Sequence, residues 1–531
     1  MPAMSDAPAY ITTPIYYVND KPHIGHVYTS TLADAWSRYQ RMVGRDVFFL
    51  TGTDEHGQKV QQSAQDQGIT PQELADENAA VFRSIMESLS LSFDHFTRTT
   101  DPSHEQQVQA CIQKLLDNGD VYMGTFEGWY DPVGEEYLTE TKAKEQEYVC
   151  TVTGRPLERS SEHNYYFKLS KYQERLEKLF EDHPGFVRPK SRRNEVLGRL
   201  REGLLDVPIS RTSFTWGVAM PGDQKHVIYV WIDALLNYIT GLGLGAPGES
   251  LHAQRSKYWP ATYHIIGKEI LWFHAIIWPA VLMALELPLP NCIYAHSFWV
   301  REGRKMSKSL GNFIDLKTIN AYREAYGDDM WRYYMVTQGP SGGTDADFVD
   351  TKFHEVYTTD LVNTLGNCAS RVGAMIGKYF DGALPTESPS GERLTVDGWD
   401  FPMIVTEATA AVQVAIDDFD LSGAAETAMG LVRKVDLFIN ETEPFRLAKD
   451  DARRDELGAI LYQCAEMIRI AALLLSWLLP EKTAMLLESL GQGPCEHRTD
   501  LREWAVWGKL TPGTMVTKTA LYPRLDPITV E

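Results

Sequence analysis

Five short runs, apolar on both faces and each followed at once by polar or glycine residues and then a helical pattern, constrain this chain's fold more than any other feature. They are Tyr10 to Thr13, Val47 to Leu50, Val227 to Val230, Tyr263 to Ile266 and Cys292 to Ala295. A strand that buries both faces belongs in a parallel sheet with helices on either side, so the runs predict an α/β, doubly wound, Rossmann-like sheet. Ligands of such sheets sit beyond the carboxyl ends of the strands, which directs attention to the residues just after each run. From about Asn118 to Arg201 the rhythm breaks, which predicts a domain inserted between two halves of the sheet. After about Asp360 amphipathic helical segments take over (Leu361 to Tyr379, Met403 to Phe419, Ala424 to Asn440, Leu457 to Leu479), predicting a C-terminal α-helical bundle. The expected division is 1–117 and 206–310 for the two halves of the sheet, 118–205 for the insertion, 311–360 for a following region and 361–531 for the bundle.

At 531 residues the chain is long enough for several cores, which excludes a single small binding module. The longest nearly unbroken apolar run, Ile470 to Leu479, ends at Pro480 and is too short to span a bilayer, and Met1 to Pro8 lacks the pattern of a secretory signal. No membrane partner is expected. Six scattered cysteines without a C-x-x-C suit a reducing compartment, so a cytoplasmic location is the expectation. The formal charge of −21 argues against nucleic acid, since backbone binding needs neutralised phosphates. Two basic clusters run against that balance: Arg188, Lys190, Arg192, Arg193, Arg199 and Arg201, and then Arg301, Arg304, Lys305 and Lys308. Either could meet phosphate inside an acidic whole.

Two motifs carry candidate chemistry. Pro22-His23-Ile24-Gly25-His26 follows the first strand and its turn. A helix starting there would put His23 and His26 on one face, with Gly25 letting a nucleotide approach and the helix N-terminus offering unpaired N–H groups to phosphate. A pair of surface histidines and half of a metal site are the alternatives. Gly303-Arg304-Lys305-Met306-Ser307-Lys308-Ser309-Leu310-Gly311-Asn312 reads as a cationic loop able to close on a triphosphate and on leaving pyrophosphate, or as a solvated charge run.

In that order and placement, His-Ile-Gly-His and Lys-Met-Ser-Lys-Ser resemble the signature pair of the class I aminoacyl-tRNA synthetases. The wider context is similar to the methionyl-tRNA synthetases: Thr13-Pro14-Ile15-Tyr16-Tyr17-Val18-Asn19, Thr51-Gly52-Thr53-Asp54-Glu55-His56-Gly57, Tyr229-Val230-Trp231-Ile232-Asp233-Ala234, and Ile266-Gly267-Lys268-Glu269-Ile270 leading to Phe273-His274. The likeness runs from about Tyr10 to beyond Pro444. It implies ATP-dependent ligation of L-methionine to tRNA(Met) through methionyl-adenylate, with Mg²⁺ as cofactor. His23, His26, Lys305 and Lys308 are implied as catalytic, Lys308 carrying the larger share of the loop's effect. Gly25, Gly267, Lys268, Glu269, Ser307 and Ser309 are implied as ATP contacts, Glu269 standing on the ribose where much of the family has aspartate.

Asp54 is implied as the partner of the methionine ammonium, although by itself it reads equally as an Asx turn capping the next helix. Ile15, Tyr17, Trp231, Ala234, Leu235, Tyr238, Ile270 and His274 match the family's methionine pocket, in which a hydroxyl or imidazole hydrogen would meet the thioether. Such a pocket discriminates a missing methylene by only about 1–3 kcal/mol. Part of the family carries zinc knuckles in the insertion, whereas here that segment holds only Cys150, with His163 and His183 near it in sequence. No structural zinc is therefore expected. In the bundle, Asn367 and Arg371 match the family's anticodon reader, and Phe445 stands where the family commonly stacks a tryptophan on a base; helix-surface residues with Phe445 in the core are the alternative. The resemblance makes 311–360 the loop and stem-contact region and 361–531 the anticodon-binding domain. No appended OB-fold follows the bundle, so a monomer is expected. A nucleotidyltransferase acting on another acid and a non-catalytic tRNA-binding paralogue are the competing functions.

Overall fold

The computed structural model describes residues 7–19, 21–131, 136–138, 140–151, 154–244, 254–306, 312–388, 395–493 and 500–528. Six strands form its central sheet, in the order His95–Arg98, Val47–Asp54, Ala9–Tyr17, Tyr263–Gly267, Ile293–His296 and Val187–Arg188, every pair parallel. All eight residues of Val47–Asp54 are buried, as a strand covered on both faces requires. Its register sets Tyr17 opposite Asp54, so two candidate residues emerge side by side at the carboxyl edge. Gly52 is required here, because a Cβ would lie 2.0 Å from the Thr97 carbonyl oxygen on the neighbouring strand.

One expected strand belongs elsewhere. Asp223–Ile228 pairs antiparallel with Ser210–Arg211 and Ala219–Met220 in a separate three-stranded sheet, and Val230 already begins the helix Val230–Thr240. Its end is apolar because that small sheet packs onto the core, not because it lies in the parallel sheet. Between the two halves, Val121–Asp131, Glu136–Leu138, Glu158–Phe167 and Val207–Pro208 form an antiparallel sheet of four strands.

Behind the central sheet lie the helices Phe401–Asp417, Leu421–Thr442 and Arg454–Leu475. They dock on its back, where Tyr263 Oη donates to the Asp417 carbonyl at 2.6 Å, and Trp477, just past the last of them, meets Tyr39 of the helix Ile24–Met42 edge-on with ring centroids 6.5 Å apart. The helical stretch Asp451–Leu475 is long and apolar enough to cross a membrane, yet its apolar window is wholly buried inside the protein. It carries a fully buried ion pair, Arg469 to Glu466 at 2.6 Å. Arg469 also donates to the carbonyls of Trp504 and Val506, while Glu466 accepts from the amides of Lys509 and Leu510. With all these hydrogen bonds made, the pair is compatible with a dry core.

The first basic cluster is largely turned to structural use. Arg192 holds Ser297 Oγ and the Gly343 carbonyl, Arg193 the Phe180 carbonyl, Arg188 faces Asp418, and Arg199 lies 3.9 Å over the Trp272 ring.

Candidate active site

His23 is the N-cap of the helix Ile24–Met42, and together with His26 it closes a capping box. His23 Nδ1 accepts the Gly25 amide at 3.1 Å, and His26 Nδ1 accepts the His23 amide at 3.2 Å. A neutral imidazole has one donor and one acceptor nitrogen, so each ring carries its hydrogen on Nε2. The rings stack 3.8 Å apart, and Tyr16 and Phe82 pack on His26. Burial and the neighbouring His23 hold the His26 pKa well below its ordinary value. Helix capping thus turns two histidines into two neutral, fixed N–H donors. Gly25 serves this arrangement as well as any ligand, since a Cβ there would stand 3.0 Å from the His23 ring.

Both histidines line a cleft of about 410 Å³ at the carboxyl edge of the sheet. Gly25, Gly267 and Glu269 line it, as do Ile15, Tyr17, Asp54, Trp231, Ala234, Leu235, Tyr238, Ile270 and His274. Asp54 ends its strand 8 % exposed, and the next helix, Gln58–Gln67, is capped by Gly57, so the Asx-cap alternative does not hold. Gly267 leaves room for the Glu269 carboxylate, which a Cβ would meet at 2.3 Å. Trp231 stacks on Phe273 with centroids 3.9 Å apart, making a wall between this cleft and a second cavity of about 620 Å³ under the insertion.

At the back of the pocket the hydrogens are committed in a way the sequence reading did not anticipate. His274 Nδ1 meets the Ile270 carbonyl at 3.0 Å and must donate to it, which leaves Nε2 to accept the Tyr238 hydroxyl at 2.7 Å. Neither hydrogen is available to a thioether, so the pocket offers sulfur ring faces and oxygen lone pairs instead. Burial lowers the His274 pKa to about 4, which keeps this pattern neutral. Trp278 likewise donates to His264 Nε2 at 3.2 Å, and His264 Nδ1 bonds Thr12 at 2.7 Å.

Lys268 lies outside the cleft lining, paired with Asp345 at 2.6 Å and 4.5 Å over the Phe298 ring. Lys305 is exposed on a hairpin opposite Val300, 5.9 Å over that ring. Ser307, Lys308 and Ser309 lie outside the described residues. The chain beyond them returns directly to the histidines: Phe313 packs edge-on to His23 at 5.1 Å, and the Ile24 amide donates to the Ile314 carbonyl at 3.2 Å. Sequence reasoning missed Thr29, His296 and Phe298, which also line the cleft. Thr29 Oγ1 and His296 Nε2 are 2.7 Å apart, tying the second turn of the histidine helix to the strand Ile293–His296.

Among the C-terminal helices, Asn367 opens the helix Asn367–Phe380, Arg371 faces Asp436 at 3.8 Å, and Phe445 is 43 % exposed, outside the core. In the insertion Cys150, His163 and His183 sit on a turn, a strand and a helix end respectively. Among the described residues no group of three or more His, Cys, Asp or Glu side chains is arranged to hold a metal.

A family model described as "tRNA synthetases class I (M)" matches residues 9–373. The chain is 43% identical over 520 residues to the "Methionine--tRNA ligase" of Caldanaerobacter subterraneus subsp. tengcongensis, covering 97% of this chain and 79% of that one. It is 41% identical over 532 residues to that of Bacillus subtilis, covering 97% and 78%. Among solved structures, Mycobacterium tuberculosis methionyl-tRNA synthetase in complex with methionyl-adenylate superposes with a TM-score of 0.89 at 37% identity, covering 98% of this chain and 100% of that one. Its free form superposes with a TM-score of 0.84 at 34% identity, covering 98% and 99%.

Proposed function

The chain belongs to the class I tRNA synthetases that charge methionine, and from that premise we propose how its own residues do so. It joins L-methionine to tRNA(Met) using ATP through methionyl-adenylate, releasing pyrophosphate and then AMP. The observation that carries the assignment of residues is the convergence of the His23–His26 pair, Asp54 and the Trp231–Tyr238–His274 wall on one cleft.

In this reading Asp54 takes the substrate ammonium, while Ile15, Tyr17, Trp231, Ala234, Leu235 and Ile270 enclose the side chain. Tyr238, locked to His274, closes the end of the pocket by shape and by lone pairs facing sulfur. The methionine carboxylate oxygen bonds to the α-phosphorus as the bond to pyrophosphate breaks. His23 and His26 are neutral donors, so they stabilise the growing charge on phosphate oxygen by aimed hydrogen bonds. Positive charge comes from Lys305 and Lys308, the latter with the larger share, as the loop closes. Gly25, Gly267, Ser307 and Ser309 approach the nucleotide, Glu269 accepts from its ribose, and Lys268 reaches it on exchanging Asp345 for phosphate. In the second step the terminal ribose 2′-hydroxyl of tRNA attacks the adenylate carbonyl and AMP leaves.

Magnesium enters with the nucleotide as part of the substrate. Mg²⁺ keeps phosphate and water ligands readily, and Asp54 and Glu269, two carboxylates lining the cleft, are otherwise assigned. Asn367, Arg371 and Phe445 form the anticodon surface, with an exposed aromatic face for stacking. The proposal extends to the division 1–117, 118–205, 206–310, 311–360 and 361–531, except that Val187–Arg188 belongs to the central sheet and Val207–Pro208 to the insertion's sheet; it extends also to a monomer and to the cytoplasm, where the five described cysteines, all free and buried, would stay reduced. Charging of transcripts with labelled methionine tests the reading. A transcript bearing the methionine anticodon should be charged and its anticodon-swapped twin should not; equal charging of both would remove the anticodon assignment.

A further inference from the structure

The loop that follows Asp54 is bound at every residue. Glu55 is fully buried and takes both arms of Arg98, at 2.7 and 2.9 Å, together with the Thr53 hydroxyl at 2.6 Å. Trp216 donates from its indole nitrogen to the Glu55 carbonyl at 2.6 Å and packs edge-on to the His56 ring. Gly57 has φ +104°, a backbone state open to glycine, and a Cβ there would meet the Tyr17 hydroxyl at 2.7 Å.

His56, only 3 % exposed, reaches across to the helix Val230–Thr240: its Nδ1 lies 2.7 Å from Asp233 Oδ2. The other Asp233 oxygen meets His104 Nε2 at 2.9 Å, and His104 Nδ1 meets Thr240 Oγ1 at 2.7 Å on the same helix. Glu105 stands 3.6 Å from the far side of His56. That helix carries Trp231, Ala234, Leu235 and Tyr238 into the cleft, so the clasp joins the loop holding the candidate ammonium partner to the wall around the side chain.

We propose that His56 is a positioning residue for amino-acid recognition, which through Asp233 fixes the Asp54 carboxylate at a set distance from the pocket helix. The inference rests on the reading of Asp54 as the ammonium partner. Only one residue separates Asp54 from His56, so release of the imidazole shifts the carboxylate directly. Burial alone would discharge the imidazole, but the charge and hydrogen bond of Asp233 outweigh it and keep the ring protonated above its ordinary range, with Glu105 and Asp54 adding to the effect. Burial likewise opposes the Asp233 charge, which His56 and His104 restore. Losing the imidazolium therefore leaves a buried carboxylate with half its clasp, and the loop has reason to move.

The test compares two probes. Methioninol keeps the ammonium, whereas 4-(methylthio)butanoate keeps the thioether and lacks the ammonium. Binding of each is measured by competition against methionine in pyrophosphate exchange, for the wild type, H56Q, H56N, H104N and D54N. In H56Q, affinity for methionine and methioninol is expected to fall about tenfold, with the desamino acid changed less than about twofold. H56N places an amide nitrogen where Nδ1 was and should recover to within about threefold of wild type. Equal losses for both probes in H56Q, or no recovery in H56N, would reduce His56 to a fold residue. Should H56Q not fold, the same probe comparison is read on H104N, where a smaller loss confined to methioninol is expected and an equal loss overturns the inference. If D54N fails to separate the two probes, the ammonium assignment itself is wrong, a result distinct from the failure of His56.

Discussion

Replacing His26 separates the two jobs of its ring. Nδ1 accepts the His23 amide and closes the helix cap, while Nε2 carries the hydrogen offered to phosphate. Asparagine places a polar atom near Nδ1 and none near Nε2, and glutamine does the reverse. H26N therefore keeps the cap and loses the donor. Removing one preorganised donor aimed at developing charge costs about 10²–10³ in kcat, roughly 2.7–4 kcal/mol. H26Q keeps a donor and loses a cap bond worth about 1 kcal/mol, so it should stay within about tenfold of wild-type kcat while unfolding at lower temperature. Methionine-dependent pyrophosphate exchange at saturating ATP reads kcat and the methionine KM together. The expected pattern is a large kcat loss in H26N with its methionine KM changed less than about threefold. Equal kcat losses in the two variants would refute the tautomer argument. A raised methionine KM with kcat intact would refute the transition-state role.

Four further outcomes follow from the packing and the charges. Burial lowers His274 and His296 each from 6.5 to about 4, so their contribution is fully present above pH 6.5 and is lost as pH falls through about 4. Together they should steepen the dependence of stability on pH by up to about 2.7 kcal/mol per unit near pH 5, and H296Q should remove about half of that in urea titrations at successive pH values. R469M leaves Glu466 charged and fully buried, which should destabilise the bundle by about 3–5 kcal/mol by denaturant midpoint, whereas an exposed pair such as Arg83 with Glu87 should contribute under about 1 kcal/mol. G52A drives a methyl group into the Thr97 carbonyl and should cost about 1–3 kcal/mol or more, lowering soluble yield and, two residues from Asp54, raising the methionine KM. Loss of tRNA charging in N367A and R371A with adenylate formation unchanged is the expected signature of the anticodon surface; loss of both would move these residues into the fold.

What could be read in advance was whatever local pattern dictates. Four of the five strand-like runs lie in the parallel sheet because burying both faces leaves a mark on every residue, as in Val47–Asp54. His95–Arg98 and Val187–Arg188 joined the same sheet unseen, being short and partly polar. The run from Val227 carried the same apolar mark for another reason, and only its pairing partners, Arg211 and Ala219, reveal that. Charge counting was blind to partners: in a cluster that could have met phosphate, Arg192 and Arg193 hold carbonyls and Arg199 lies over an indole ring. Motif spacing located His23 and His26, but the direction of their hydrogens needed the helix cap. The His56–Asp233 bond spans 177 residues of sequence, and nothing local marks it. Thr29 and His296, 267 residues apart, escaped for the same reason.

The central claim is that this cleft activates methionine and no other amino acid. Pyrophosphate exchange measured with each of the twenty amino acids in turn, with ATP and without tRNA, tests it most directly. Exchange with methionine alone is the predicted result. Exchange driven by a different amino acid would contradict the pocket built from Trp231, Tyr238 and His274, and no exchange from folded protein that binds ATP would contradict the activation step itself.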